Sequence, residues 1–80
     1  CTVHYVRPVM DEGPIIVQAA VPVLQNDSED TLAARVLAAE HCIYPYALRL
    51  VASGKARVVG DRVEIDGART PQEPLLNPIP

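Results

Sequence analysis

The chain lacks any apolar run long enough to span a bilayer, and no charged-then-apolar segment opens it, so neither a membrane span nor a secretory leader can be read in it. Basic residues are few. Seven Lys and Arg stand against ten Asp and Glu, a net charge of -3. The seven are scattered, which excludes the clustered footprint that nucleic-acid binding needs. No glycine-rich phosphate loop, nucleophile-plus-base pair or paired catalytic carboxylates can be assembled. There are two cysteines, Cys1 and Cys42. They show no metal-ligand spacing and read as reduced structural thiols, and His4 and His41 lie too far apart to complete a ligand set. No metal site, no nucleic acid and no membrane partner are expected. The expected setting is the cytoplasm.

What is present is globular. The 80 residues are 49% hydrophobic and 21% charged, enough for at most one small domain, marginal on its own. The chain begins at Cys1 and enters an apolar alternation at once, the pattern expected of a piece of a longer protein.

Thr2 to Val6, TVHYV, is rich in β-branched and aromatic residues and predicts a strand. Arg7 to Gly13 predicts a loop, broken by Pro8 and Gly13. Pro14 to Val23, PIIVQAAVPV, predicts a longer strand, apolar on both faces and so covered on both sides. Gln25-Asn26-Asp27 predicts a turn. Asp27 or Ser28 can cap a helix, with Glu29 and Asp30 suiting the positive end of its dipole. Leu32, Val36, Ala39, Ile43, Ala47 and Leu50 then form one apolar stripe at spacings of three and four. Pro45 lies inside this run, and either kinks the helix or opens a second one. Gly54 ends it. Ala56 to Val59 and Arg62 to Ile65 flank Gly60-Asp61 as a hairpin with a two-residue turn. The Pro-rich tail after Thr70 predicts irregular structure. One helix covers one face of the long strand. The second face and the sheet edges call for a layer from outside these residues, or for a dimer.

Three polar positions stand out. Asp11 lies in the loop between the first two strands. It is either a turn aspartate bonded to its own loop backbone or a carboxylate held at a strand end to orient a histidine or move a proton. Glu40 borders the apolar stripe of the helix, and either reaches water at the edge or contacts a ligand. His4 shares a strand face with Thr2 and Val6 and reads as a satisfied strand histidine.

The stretch H-Y-V followed by D-x-G-P-I-I-x-Q (His4 to Val6, then Asp11 to Gln18) resembles the folate-dependent formyltransferases and deformylases. A second block, Ala33-Ala34-Arg35-Val36 to Glu40-His41-x-Ile43-Tyr44-Pro45, looks like the phosphoribosylglycinamide formyltransferases in particular. The closing GDRVEIDG, Gly60 to Gly67, is similar to the end of bacterial members. The resemblance covers the chain to about Thr70.

It implies an α/β fold, the carboxyl-terminal part of a Rossmann-like formyltransferase: two sheet strands, a long helix kinked or broken near Pro45, a terminal β-hairpin and an irregular tail. Residues 1–70 would belong to the formyltransferase domain and 71–80 to the tail. It implies transfer of a formyl group from 10-formyltetrahydrofolate, the co-substrate, to the amine of glycinamide ribonucleotide in purine synthesis. Asp11 would be the catalytic aspartate. The segment Arg7, Pro8, Val9, Met10 and Asp11 would line the folate pocket, largely through backbone groups. Arg7 and Pro8 replace residues that are commonly acidic or polar in the family, and Pro8 removes an N–H donor. Leu37, Ala38, Ala39 and Glu40 would contact glycinamide ribonucleotide. The family's catalytic Asn and His and its phosphate-binding loop come from the amino-terminal half, the implied partner of this segment. A formyltetrahydrofolate deformylase shares the first block, and a non-catalytic interaction module is the remaining alternative.

Overall fold

Thr2 and Val3 are stiff at χ1 and favour the extended backbone, and they open strand β1, Thr2–His4. The structure, a computed structural model, describes residues 1–7 and 13–80. β1 pairs antiparallel with β2, Ile15–Gln18. Thr2 faces Gln18 and Val3 faces Val17, but His4 faces Ile15. Ile16 is therefore the extra residue of a bulge, which re-aims the side chains beyond it. Backbone bonds carry the pairing one step further at each end, from Ala19 N–H to the Cys1 carbonyl at 2.9 Å and from Tyr5 N–H to the Pro14 carbonyl at 3.0 Å.

Both strands are shorter than the sequence predicts, for the same reason. A strand needs a ladder, not only an apolar pattern. Val6 lies beyond the last bond and is 89% exposed. Ala20 to Val23 have no strand partner among the described residues. Ile15 is 47% exposed, and the second face is the one that the sequence leaves to a layer from outside these residues.

Helix α1 runs Glu29–Ala52. Ser28 is the N-cap, not Asp27. Its Oγ accepts the Thr31 N–H at 3.2 Å and its own N–H donates to Thr31 Oγ1 at 2.9 Å, a reciprocal capping box. Glu29 and Asp30 occupy the first turn and Arg49 the last, matching the dipole. The helix continues through Pro45 as one element, so of the two expectations, a kink or a second helix, the second helix is corrected. Pro45 removes one N–H and deprives the His41 carbonyl of its helical partner, at a cost of about 3 kcal/mol. Continuity is favoured because Ile43, Ala47 and Leu50, on both sides of Pro45, are all buried on one stripe. Ser53 ends the helix and Gly54 follows at φ 77°, the left-handed position that glycine takes most easily.

Strands β3, Ala56–Val59, and β4, Arg62–Ile65, form the predicted hairpin, paired in uninterrupted register from Ala56–Ile65 to Val59–Arg62. Gly60 takes φ 62°, as the tight two-residue turn requires. Among the described residues few are buried: Pro14, Ile43, Ala47, Leu50 and Ala56. They mark where α1 lies over β2 and meets the base of the hairpin. No strand or helix follows Ile65 among the described residues. One bond returns the tail to the body, from Asn77 Nδ2 to the Val23 carbonyl at 3.2 Å.

Candidate active site

Thr2 lines two of the clefts beside β1. The first, about 390 Å³, is bounded by Thr2, His4, Gly13 and Ile15. It lies where the chain leaves β1 and returns to β2. Its shape depends on Gly13. A Cβ on Gly13 would sit 1.5 Å from the Tyr5 carbonyl oxygen and 2.6 Å from His4 Nδ1, so no side chain fits there. His4 Nδ1 lies 2.7 Å from the Tyr5 carbonyl. A carbonyl only accepts, so Nδ1 carries the proton, and in the neutral ring Nε2 is left as an acceptor.

The second cleft, about 570 Å³, opens between β1 and α1. Cys1, Thr2 and Val3 form one wall, and Leu37, Glu40, His41, Ile43, Tyr44 and Pro45 the other. Its lining is mainly apolar, and the exposed Glu40 supplies its carboxylate. Leu37 is half exposed beside it. Ala38 and Ala39 line neither cleft. The structure thus brings Leu37 and Glu40 together in the lining between β1 and α1 and places His4 in the cleft bounded by Gly13. Pro8, Val9, Met10 and Asp11 lie outside the described residues.

Arg7 is described, and its guanidinium is turned away from both clefts' linings. Nη1 donates to Asp61 Oδ1 at 2.8 Å and Nη2 to the Gly60 carbonyl at 2.8 Å. Sequence reasoning missed this pairing. Nothing local signals a contact between residues so far apart in the chain.

It also missed the second role of Asp27. The Asp27 carboxylate accepts from Nη1 and Nη2 of Arg35 at 2.7 and 2.9 Å, from Leu24 N–H at 2.7 Å and from the Thr31 hydroxyl at 2.9 Å. Arg35 also donates to the Pro22 carbonyl at 2.7 Å. The Arg35 guanidinium, with the Leu24 N–H second, holds the Asp27 carboxyl well below the usual carboxylate range. In turn Asp27 pushes the Arg35 guanidinium up. This knot ties the strand-to-helix turn onto α1 and so fixes the helix whose edge carries Leu37 and Glu40. Among the described residues no group of three His, Cys, Asp or Glu could hold a metal ion. No helix described is long and apolar enough to cross a membrane.

The model of the formyl transferase family matches residues 1–48. The chain belongs to that family. It is 42% identical over 72 residues to the phosphoribosylglycinamide formyltransferase of Escherichia coli strain K12, a match that covers 90% of this chain and 34% of that enzyme. It is 56% identical over 61 residues to the trifunctional purine biosynthetic protein adenosine-3 of Drosophila pseudoobscura pseudoobscura, covering 76% of this chain and 4% of that protein. Among solved structures, the phosphoribosylglycinamide formyltransferase of Anaplasma phagocytophilum superposes with a TM-score of 0.78 at 47% identity, over 86% of this chain and 34% of that one. The fold is therefore part of the α/β formyltransferase fold. The chain spans about a third of the length of the bacterial enzymes it matches.

Proposed function

We propose that this chain supplies one part of the active site of a glycinamide ribonucleotide formyltransferase, which moves a formyl group from 10-formyltetrahydrofolate to the substrate amine in purine synthesis. The observation that carries this reading is the 42% identity to the Escherichia coli enzyme across 90% of the chain. The position of Glu40 at a cleft large enough for a small ligand supports it.

In this reading Asp11 is the catalytic aspartate. The amine attacks the formyl carbon, an oxyanion develops, and the attacking nitrogen must lose a proton. An imidazolium stabilises that oxyanion, and a carboxylate beside the ring favours its charged form. Asp11 supplies the carboxylate, and the histidine and an asparagine come from the remainder of the enzyme, a Rossmann-like sheet with the phosphate-binding loop. Residues 7–11 line the folate pocket, largely with backbone. Leu37 to Glu40 contact glycinamide ribonucleotide, Glu40 by accepting from its N–H or O–H donors. Residues 1–70 form the carboxyl-terminal portion of this domain and 71–80 its tail, and the enzyme works in the cytoplasm without a metal.

The reading is tested by product formation from both substrates. The isolated chain should give none, since the resemblance assigns the family's catalytic Asn and His to the amino-terminal half, whereas the formyltransferase carrying it should turn over. Turnover by the isolated chain, or none by the complete enzyme, would overturn it.

A further inference from the structure

We propose that Arg7 and Asp61 form a latch through which the β3–β4 hairpin sets the position of the strand end that leads into Asp11. Both are positioning residues, in a role that rests on the functional reading above. The Arg7 guanidinium spans two acceptors on one turn, the Asp61 carboxylate and the Gly60 carbonyl, each at 2.8 Å. A planar fork meeting two fixed acceptors constrains direction as well as distance.

The turn it grips is a firm anchor. Gly60 is held at φ 62° by an unbroken ladder, and Arg57 pairs with Asp66 across the base of the hairpin at 2.9 Å. Ala56 is buried there. At the other end of the connection the backbone itself does the fixing, with Gly13 pressed on the Tyr5 carbonyl and Tyr5 N–H bonded to Pro14. Residues 7 and 13 are thus both tethered, one by a side chain and one by backbone. Only the first tether can be removed without changing the chain path.

Because its guanidinium is engaged by the hairpin, Arg7 serves the folate pocket through its backbone position. The Asp61 side chain is 97% exposed, so the pair contributes little to global stability. Its effect falls on where the strand end sits.

The test uses Arg7→Met, Asp61→Asn and the double variant in the formyltransferase that carries this chain. Hydrogen exchange at the Tyr5 amide, bonded to the Pro14 carbonyl, should quicken in each. The KM for 10-formyltetrahydrofolate should rise roughly two- to fivefold, the scale of one exposed charge pair, while the KM for glycinamide ribonucleotide and the unfolding midpoint stay put. The double variant should be no worse than Arg7→Met alone. Unchanged exchange overturns the latch whether or not the enzyme transfers formyl groups. In an active enzyme, an unmoved folate KM, equal rises for both substrates or strictly additive single effects overturn it. A wild-type enzyme inactive on these substrates would sink the functional reading instead, and the exchange result would still decide the latch.

Discussion

Arg35 grips the Asp27 carboxylate with both terminal nitrogens, at 2.7 and 2.9 Å, from two turns along the helix that the Asp27 turn introduces. The carboxylate also holds Leu24 and Thr31. One side chain thereby closes the turn and orients the helix.

The Asp27 pKa is lowered in the folded chain, chiefly by Arg35. A lowered carboxyl pKa contributes stability that is fully present above the unfolded value, about 3.9, and is lost as pH falls through the folded one. Asp27→Asn should therefore lower stability by a constant amount between pH 5 and pH 8 (roughly one to four units above the unfolded value). The gap to wild type should narrow only below about pH 4. Denaturant unfolding across that range checks this. A gap that closes between pH 5 and pH 8 would mean that another group holds the turn.

Gly13→Ala places a methyl group where the Tyr5 carbonyl already stands. Relief requires breaking the Tyr5 to Pro14 backbone bond and moving His4. The loss should reach or exceed the upper end of the ~1–3 kcal/mol usual for overpacking, read as a lower midpoint in denaturant. Gly54→Ala, where nothing lies within 4 Å, serves as the contrast. It meets only the unfavourable positive φ and should cost about 1 kcal/mol. Equal costs at the two sites would show that the close approach at Gly13 is not a constraint.

Where structure depends on neighbours along the chain, it was legible in the sequence. The stripe from Leu32 to Leu50, the acidic first turn and the Gly60-Asp61 hairpin all follow from periodicity, capping and turn chemistry. Where it depends on a partner elsewhere, it was not. The PIIVQAAVPV pattern could not reveal that the ladder with β1 carries no further than Ala19 among the described residues, nor that the bulge at Ile16 shifts His4 against β2. Pro45 reads as a breaker until the burial of Ile43 and Ala47 on both sides is known. Asp27 reads as a cap until Arg35 is found on it. Arg7 reads as a loop residue until the hairpin is folded beneath it. Glu40 stood out as a carboxylate at the edge of an apolar stripe, and it does lie at a cleft. Its ligand is suggested by likeness to other proteins and not by spacing.

Glu40 offers its carboxylate to the cleft between β1 and α1, with Leu37 beside it. If it accepts from the nucleotide substrate, Glu40→Ala in the complete enzyme should weaken glycinamide ribonucleotide binding roughly tenfold or more, the scale of a lost hydrogen bond to a charged group. Folate binding should hardly change. Calorimetry with each ligand separates the two. A loss confined to folate would reverse the assignment of the helix edge.

Asp11 carries the central claim, that this chain contributes the carboxylate of a formyl transfer site. Asp11→Asn keeps the shape of the side chain and removes its charge. Without that charge the neighbouring imidazolium is less favoured, and proton removal from the attacking amine loses its acceptor. Turnover in the complete enzyme should fall by about a hundredfold or more, the range of positioned acid–base groups, with glycinamide ribonucleotide affinity little changed. An NMR titration should show the catalytic histidine with a lower pKa than in wild type. The decisive measurement is the pH–rate profile of Asp11→Asn beside that titration. Collapsed turnover with a lowered histidine pKa is the expected result. Near-normal turnover with an unmoved histidine would make Asp11 a turn residue and contradict the assignment.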